Sequence, residues 1–294
     1  MTSDQGLRPF VSVILGVALF SLMDAALKGA ALAVGAYSTL LLRALVGVCV
    51  TTPASLAMRQ AWPGRAALKV HLTRGPVAAL MGLTWVWGVT KMPLAEGIAL
   101  SFIAPLIALY LAAAVLGETV SRRAVGASLV ALAGVVVIAV GHVGGNGPGR
   151  TWLGLVAILV SSVLYAWNLV LQRQQALLAN PLEVATFQNA ITALVLVGFA
   201  PWFAVMPSEA RVWGVIIAAS ALGLGAAMIF TWAYARAEAQ ALVPLEYTAF
   251  VWASLFGWLF FAEPVRPMTL VGVALIVVAC LIAAPRKRPE AATL

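Results

Sequence analysis

The sequence predicts an all-α integral membrane protein with ten transmembrane helices in two inverted five-helix repeats. Three observations carry this prediction: an excess of apolar residues, ten apolar runs of spanning length, and a polar hinge that occurs twice. Of the 294 residues, 63% are apolar types and 10% are charged, against roughly 45–50% and about 25% in soluble domains. A bilayer is the solvent that accommodates so much apolar surface, and each crossing needs about 20 mostly apolar residues.

The ten apolar runs are separated by short connections that carry Gly, Pro or charge. They cover residues 9–28, 36–57, 71–90, 94–116, 123–142, 151–172, 181–205, 211–235, 240–262 and 268–285. The clearest linker is GGNGPG at 144–149. Arg8 precedes the first run, as in a secretory signal, but nine further runs favour an uncleaved first helix.

The lysines and arginines predict the orientation in the membrane. With the N-terminus in the cytoplasm, 12 of the 18 basic residues fall on the cytoplasmic side and 5 on the opposite side. This bias follows the positive-inside rule and predicts both termini in the cytoplasm of a multi-pass protein of the bacterial inner membrane. The net charge of +8 therefore reflects topology, and we expect no nucleic-acid partner.

The hinge VLGETVSRRAVG at 115–126 has a near-copy in LFFAEPVRPMTLVG, which ends at Gly272. Its acidic residues, Glu118 and Glu263, lie 145 positions apart. At the same shift, 91–118 lies over 236–263. The repeat unit holds five spans, so the second copy enters the membrane from the opposite side. We therefore predict two domains, 1–147 and 148–294, as in secondary transporters whose substrate site lies between inverted repeats.

Ten spans in two halves, each with this hinge before a final apolar helix, resemble the drug/metabolite transporter superfamily. The chain is more closely similar to its EamA-type exporters, and among them to YddG-like exporters of aromatic amino acids. The resemblance implies alternating access through a central cavity and export of a small metabolite, with amino acids, aromatic ones above all, favoured. Other amino acids, nucleosides, sugars and drugs are alternatives within the family, and a non-transporting scaffold or sensor is an alternative outside it.

The resemblance also places the last helix of each half at the periphery. Small residues in the fifth and tenth runs would allow these helices to pack closely in lipid. They are Gly126, Ala127, Ala131 and Gly134 in one run, and Gly272, Ala274 and Ala279 in the other.

Charged residues inside the spans are candidates for gating or coupling, because a charge in hydrocarbon costs about 2.5–3.5 kcal/mol on insertion scales. Asp24 and Arg43 lie at similar depth on adjacent antiparallel spans. They form either a gate or a site for the charged groups of an amino acid, or else a structural ion pair. Glu246 either couples transport to protons or pairs with Arg236 at the interface.

Pro105 lies midway along the fourth span and removes the backbone hydrogen bond to the carbonyl of Ser101, which predicts a bend. Non-helical backbone at this depth is tolerated only against protein or water. We therefore expect Ser101, Phe102 and Pro105 to face the cavity. The repeat matches Ser101 to Glu246 and Phe102 to Tyr247.

Aromatic and amide side chains in the spans complete the predicted site. Trp85 shares a helix face with small and polar residues, and Tyr165 and Asn168 lie late in the sixth span. The expected substrate contacts are Trp85, Ser101, Phe102, Tyr165, Asn168 and Tyr247. The expected gating or coupling residues are Asp24, Arg43, Pro105 and Glu246. For each aromatic residue, ordinary core packing is the alternative.

Several other functions lack a supporting motif. The sequence contains no GxxxxGK[ST], HExxH or GxSxG pattern, so we expect no enzyme, no direct use of ATP, no cofactor and no metal site. Cys49 and Cys280 are interpreted as buried hydrophobic residues, and His71 and His142 as interfacial residues. Glu96 and Lys91 are expected to be solvated. The expected partners are a small-molecule substrate, the lipid bilayer and, for coupling, protons, with the chain a monomer or a weak homodimer.

Overall fold

The computed structural model describes residues 4–116, 122–143, 152–237 and 239–283. Every regular element in these ranges is an α-helix. In chain order the helices are α1 (Asp4–Ala57), α2 (Arg65–Val89), α3 (Leu94–Ser101), α4 (Ala104–Leu116), α5 (Arg122–Val143), α6 (Trp152–Ala176), α7 (Pro181–Val197), α8 (Ala200–Phe203), α9 (Ala210–Tyr234), α10 (Ala239–Glu246), α11 (Ala249–Phe261) and α12 (Pro267–Ala283).

The first two predicted spans meet at Gly35, within α1. Gly35 has φ 84° and ψ 155°, a conformation open to glycine but strained for residues with a Cβ. The Thr39 hydroxyl donates a hydrogen bond to the Gly35 carbonyl at 2.9 Å. Gly35 therefore divides α1 into an N-terminal arm before it and a C-terminal arm after it, with no intervening loop.

Each of the other predicted spans also overlaps helical residues. Two of them are interrupted: the fourth forms α3 and α4, and the ninth forms α10 and α11. Five helical segments of the described chain are long and apolar enough to cross a membrane by length and composition. The chain is thus an all-helical protein whose helices suit a bilayer.

The helices pair across the two halves of the sequence. α1 packs along α9 and α7, α2 along α6, α5 along α12, and α3 against α11. Large apolar side chains on the outer faces remain exposed, for example Leu129 at 65% and Val140 at 57%. Such surfaces need lipid around them, since water would leave them unburied.

α5 packs on α12, and some of the small residues predicted to allow close helix packing lie in this contact. A Cβ added to Gly134 would lie 2.7 Å from the carbonyl oxygen of Gly272, and the reverse substitution meets the Gly134 oxygen at the same distance. Ala127, Ala131 and Ala279 are also buried. The expectation was wrong for Gly126 and Ala274, which lie on exposed faces because helical periodicity turns them away from the contact.

Candidate functional site

Two interrupted helices lie at the centre of the candidate site, and their bounds recur at a spacing of 145 residues. α3 and α10 each contain 8 residues, and α4 and α11 each contain 13. Each of these helices begins and ends 145 positions after its counterpart. At both breaks the backbone forms i→i−3 bonds, such as Ile103 N–H to Leu100 O at 3.3 Å and Thr248 N–H to Leu245 O at 3.0 Å. The same local structure therefore occurs twice.

The two interruptions contact each other through Phe102 and Tyr247. Their ring centroids lie 5.1 Å apart and the rings are nearly perpendicular, at 88°. These residues occupy matching positions in the two halves. The structure thus brings two of the predicted contact residues together at the point where α3 meets α11.

Ser101 and Pro105 flank the break between α3 and α4. The bend predicted from Pro105 is present, since α3 ends at Ser101 and α4 begins at Ala104. The Ser101 hydroxyl donates back to the Ile98 carbonyl at 2.8 Å, and the Cys280 thiol donates to the Phe102 carbonyl at 3.3 Å. Pro105 itself is exposed and Ser101 is half-buried. The Ile98 carbonyl and the Cys280 thiol therefore satisfy two of the polar groups at the interruption.

Asp24 and Trp85 form a direct contact between the N-terminal arm of α1 and α2. The Trp85 indole Nε1–H donates to the Asp24 carboxylate at 3.0 Å, and both side chains are only half-buried. Asp24 is close enough to Arg43 to attract it electrostatically. The two form no ion pair within 4.0 Å in the described part of the chain, so the predicted structural ion pair is not observed.

Tyr165 faces the interior and yet keeps 37% of its surface exposed. Residues one turn away on the same face of α6 are almost fully buried, namely Ser161 at 4%, Ser162 at 1% and Asn168 at 4%. The opposite face carries exposed Val156, Val160 and Val163. Tyr165 also lies within electrostatic range of Glu246 and Asp24. Its exposure therefore indicates open space beside the two carboxylates.

Arg43 lies in the C-terminal arm of α1, next to Met23 and Gly223. Its Nη2 approaches the Met23 sulfur at 3.7 Å, and a Cβ on Gly223 would lie 3.4 Å from Nη2. Gly223 is near the middle of α9, so Arg43 lies deep in the bundle. Its Nε is buried without a hydrogen-bond partner.

Glu246 accepts a hydrogen bond from the Tyr234 hydroxyl. The predicted alternative, pairing with Arg236, is wrong: Arg236 is exposed, donates to the Trp232 carbonyl at 3.0 Å and stacks over the Trp232 ring at 4.3 Å. Glu246 ends α10, and it therefore lies at the second interruption without a basic partner within ion-pair distance in the described residues.

Asn168 is committed to a buried hydrogen-bond chain between α2, α6 and α7. Its oxygen accepts from Arg74 Nε at 2.8 Å, and Arg74 Nη1 donates to the Gln175 oxygen. Gln175 Nε2 lies 2.6 Å from His71 Nδ1, and His71 Nε2 lies 3.0 Å from the Glu183 carboxylate. Because Arg74 only donates, this chain orients the Gln175 amide toward Nδ1 and leaves the His71 proton on Nε2, facing Glu183.

The interfacial interpretation of His71 was therefore wrong. His71 is 1% exposed and stacks on Phe187 with ring centroids 4.7 Å apart. Its partner Glu183 lies 112 residues away, so no local pattern could identify the pair. The His142 side chain lies outside the described residues.

A buried ion pair joins Lys28 to Glu263. Lys28 is 3% exposed and also donates to the Met92 carbonyl at 2.8 Å. Glu263 accepts from the Leu94 N–H at 2.8 Å and so caps the start of α3. Glu263 can reach back because Ala262 ends α11 in a left-handed conformation, φ 52°. We call Lys28, Glu263 and the Met92–Leu94 backbone the latch.

Two further expectations need correction. Glu96 is buried, at 2% exposed, and accepts from Thr269 at 3.3 Å, so it is not solvated; Lys91 is partly exposed and lies 5.8 Å from the Trp87 ring. Cys280 is buried as expected, but Cys49 is exposed, since it lies on the outer face of α1. Glu118, the other hinge carboxylate, lies outside the described residues. No group of three or more metal-ligating side chains occurs in the described ranges.

The interrupted helices and inward-facing charged side chains of the described residues are typical of helical membrane transporters. Residues 152–284 match the EamA-like transporter family. The pseudopaline exporter CntI of Pseudomonas aeruginosa (strain UCBPP-PA14) is 27% identical over 270 residues, which cover 91% of this chain and 93% of that protein. The riboflavin transporter of Rhizobium johnstonii is 29% identical over 231 residues, 76% of this chain and 71% of that protein.

Two further similarities agree with this class. The S-adenosylmethionine uptake transporter of Rickettsia prowazekii is 24% identical over 223 residues, 74% of each chain. A protein crystal structure with 22% identity superposes with a TM-score of 0.59 and covers 96% of this chain and 97% of the other, a likeness of fold. These similarities support an EamA-type transporter of the drug/metabolite transporter superfamily, with the match to the family itself lying at residues 152–284.

Proposed function

We propose that this protein is a secondary exporter that carries a small metabolite, an amino acid with aromatic members preferred, across the bacterial inner membrane by alternating access. The observation that carries the proposal is the contact between two interrupted helices that recur 145 residues apart. Non-helical backbone at mid-depth is tolerated where it borders a cavity. Discontinuous helices at a repeat interface form the substrate sites of many secondary transporters.

Ten transmembrane helices in two inverted halves, 1–147 and 148–294, are part of this proposal. The helix pairing supports them. If the halves are related by a pseudo-twofold axis, the pairing of α1 with α9 must be matched by one of α6 with α2, and that of α4 with α6 by one of α11 with α1. The α5–α12 pairing must map onto itself. All of these pairings occur. Two such halves can close on either side of a shared site at similar energy, which is what alternating access requires.

The side chains around the proposed cavity supply an apolar aromatic wall with a few charged groups. Trp85, Phe102, Tyr165 and Tyr247 provide the aromatic surface, with Ser101 as a further proposed substrate contact; Asn168 is bonded to Arg74 and 4% exposed, and it supports this wall from behind. Pockets of this composition suit a ligand with an apolar body and a polar end. Asp24, Arg43 and Glu246 provide the charges for gating or coupling, and Pro105 lies at the hinge of α3 and α4. Glu246 is the proposed proton carrier, since its partner is a hydroxyl rather than a cation.

The test is flux of radiolabelled tryptophan in proteoliposomes, with and without a pH gradient. Trp85→Ala and Tyr247→Ala are each expected to lower flux roughly tenfold, because each removes aromatic contact area from the wall. Trp152→Ala is the matched control: Trp152 begins α6 and is 62% exposed, so its removal should leave flux unchanged.

Two results would contradict the proposal at different levels. Unchanged flux in both Trp85→Ala and Tyr247→Ala would remove these residues from the site. An absence of flux for every amino acid, nucleoside and drug tried, in vesicles with correctly folded protein, would favour a scaffold or sensor instead.

A further inference from the structure

Arg43 has five N–H donors and no oxygen acceptor among the described residues. Its nearest hydrogen-bonding contact is the Met23 sulfur at 3.7 Å, a weak acceptor. Its Nε is buried and unpaired, and no carboxylate lies within 4.0 Å. A guanidinium stays charged under all ordinary conditions, and Asp24 attracts this charge at longer range, so its N–H donors remain available to a partner from outside the described residues.

Three other arginines in the described ranges donate to oxygen atoms of the protein. Arg74, also buried, donates to the side-chain oxygens of Asn168 and Gln175. Arg266 donates to the Gly141 carbonyl at 2.6 Å, and Arg236 donates to the Trp232 carbonyl. Arg43 departs from this pattern, although its depth makes an unsatisfied charge more costly there than at the surface.

Arg43 is held against the facing helix α9 but remains partly accessible. An added Cβ on Gly223 would lie 2.8 Å from the Met23 sulfur and 3.4 Å from Arg43 Nη2, so this side is closely packed, whereas Arg43 as a residue is only partly buried. Asp24 lies within electrostatic range of Arg43, and Tyr165, which faces open space, lies within range of Asp24. The guanidinium therefore lies near Asp24, which accepts a hydrogen bond from Trp85 of the aromatic wall at 3.0 Å.

We propose that Arg43 is the specificity-determining residue for a carboxylate on the transported solute, which it binds through paired N–H donors. A planar guanidinium fork matches a planar carboxylate and can bind it bidentately. The Asp24 carboxylate nearby disfavours a doubly charged phosphate and matches a cationic group on the same solute. The inference rests on the proposed transport function and adds to it the requirement for a carboxylate.

Phenylglyoxal labelling of arginines, followed by peptide mass spectrometry on the full-length protein in proteoliposomes, tests the proposal without measuring transport. Arg43 is expected to react, and Arg74 to resist because its donors are engaged. Acetate, benzoate and indole-3-propionate should each slow the labelling of Arg43, with indole-3-propionate the most effective. Tryptamine, which has the same indole but no carboxylate, should not slow it. An unreactive Arg43, or labelling that none of the three carboxylates slows, would overturn the proposal.

Variants separate ligand binding from a structural role. Arg43→Gln is expected to weaken equilibrium binding of indole-3-propionate by roughly 10- to 100-fold, with thermal stability unchanged or raised, since Arg43 bonds no protein oxygen. The affinity of Arg43→Lys for indole-3-propionate should lie between those of the wild type and Arg43→Gln, because lysine keeps the charge but lacks the planar pair of N–H donors. Arg236→Gln is the matched control and should retain wild-type binding.

The contrast with Arg74 completes the test. Arg74→Gln should lower thermal stability, as it breaks a satisfied buried network. If Arg43→Gln lowers stability equally, Arg43 is structural and the proposal is wrong. If carboxylates protect Arg43 but the protein transports no solute, the transport proposal alone is wrong. If the protein transports solutes with and without a carboxylate equally well, this inference alone is wrong.

Discussion

Lys28 is a charged residue in an apolar helix whose charge is satisfied by distant parts of the chain. It pairs with Glu263, 235 residues away, and donates to the Met92 carbonyl. Glu263 in turn caps the first N–H of α3 at Leu94. Removal of one partner would leave a buried charge uncompensated, which is far more destabilising than loss of a surface pair.

Lys28→Met is therefore expected to destabilise the protein by about 3–5 kcal/mol, measured as the free energy of unfolding in mixed micelles. The residual Glu263 carboxylate would be buried without its cation. The double variant Lys28→Met with Glu263→Leu should be more stable than either single variant, because it leaves no lone charge. Lys69→Met is the control, since Lys69 is exposed and its loss should change stability by less than about 1 kcal/mol. An equally mild effect of Lys28→Met would show that water reaches the latch.

The sequence identified individual residues that are unusual for their position in a span, but it did not identify the partners that those residues contact in the folded protein. The charge of Asp24 within a span and the proline at 105 mark unusual positions by themselves. Whether Asp24 bonds Trp85 or Arg43 depends on the rotation of three helices, which periodicity does not resolve. His71 and Glu183 are unremarkable in isolation, and their pairing needs the docked positions of α2 and α7.

At the scale of elements, the two helix interruptions show whether a proline in the local sequence is needed to break a helix. Pro105 follows the first break, whereas Pro244 precedes the second, within α10. The position equivalent to Pro105 is Phe250, which has an N–H and yet bonds i→i−3 to Tyr247 at 3.3 Å. Proline at one fixed position is therefore not required for the break. Pro105 predicted the first bend, and the second bend occurs at the matching place without a proline at the equivalent position.

The α5–α12 contact makes an element-scale prediction from two glycines. Gly134→Val and Gly272→Val should each destabilise the helix pair by about 1–3 kcal/mol or more. A Cβ at either site meets the facing backbone oxygen at 2.7 Å, and backbone cannot move aside as a flexible side chain can. Thermal unfolding of the purified variants gives the measurement.

Gly126→Val is the matched control, because it lies on the same helix and a Cβ there meets nothing within 4 Å. It should leave the unfolding temperature near that of the wild type. If Gly126→Val and Gly134→Val unfold alike, loss of glycine flexibility rather than interhelical contact explains the effect.

For the whole molecule, the pairing of helices across the halves explains why neither half can form the proposed site alone. Phe102 lies between α3 and α4 and Tyr247 between α10 and α11, while Asp24, Trp85 and Tyr165 come from α1, α2 and α6. The repeat at a spacing of 145 residues could be found in the sequence because the same helix interruption occurs in both halves. The relative orientation of the halves is inferred only from the odd number of spans in each half, so it requires a direct test.

Reporter fusions provide that test. Green fluorescent protein fused at either terminus should fluoresce, and alkaline phosphatase fused there should be inactive, because 12 of the 18 basic residues hold those segments in the cytoplasm. Alkaline phosphatase inserted in the 144–149 linker, which follows five predicted spans, should be active, since an odd number of crossings places the linker outside. A linker on the same side as both termini would mean an even number of crossings in each half. The halves would then be parallel, and a pathway that opens in turn to each side through an inverted relation would have no basis in this chain.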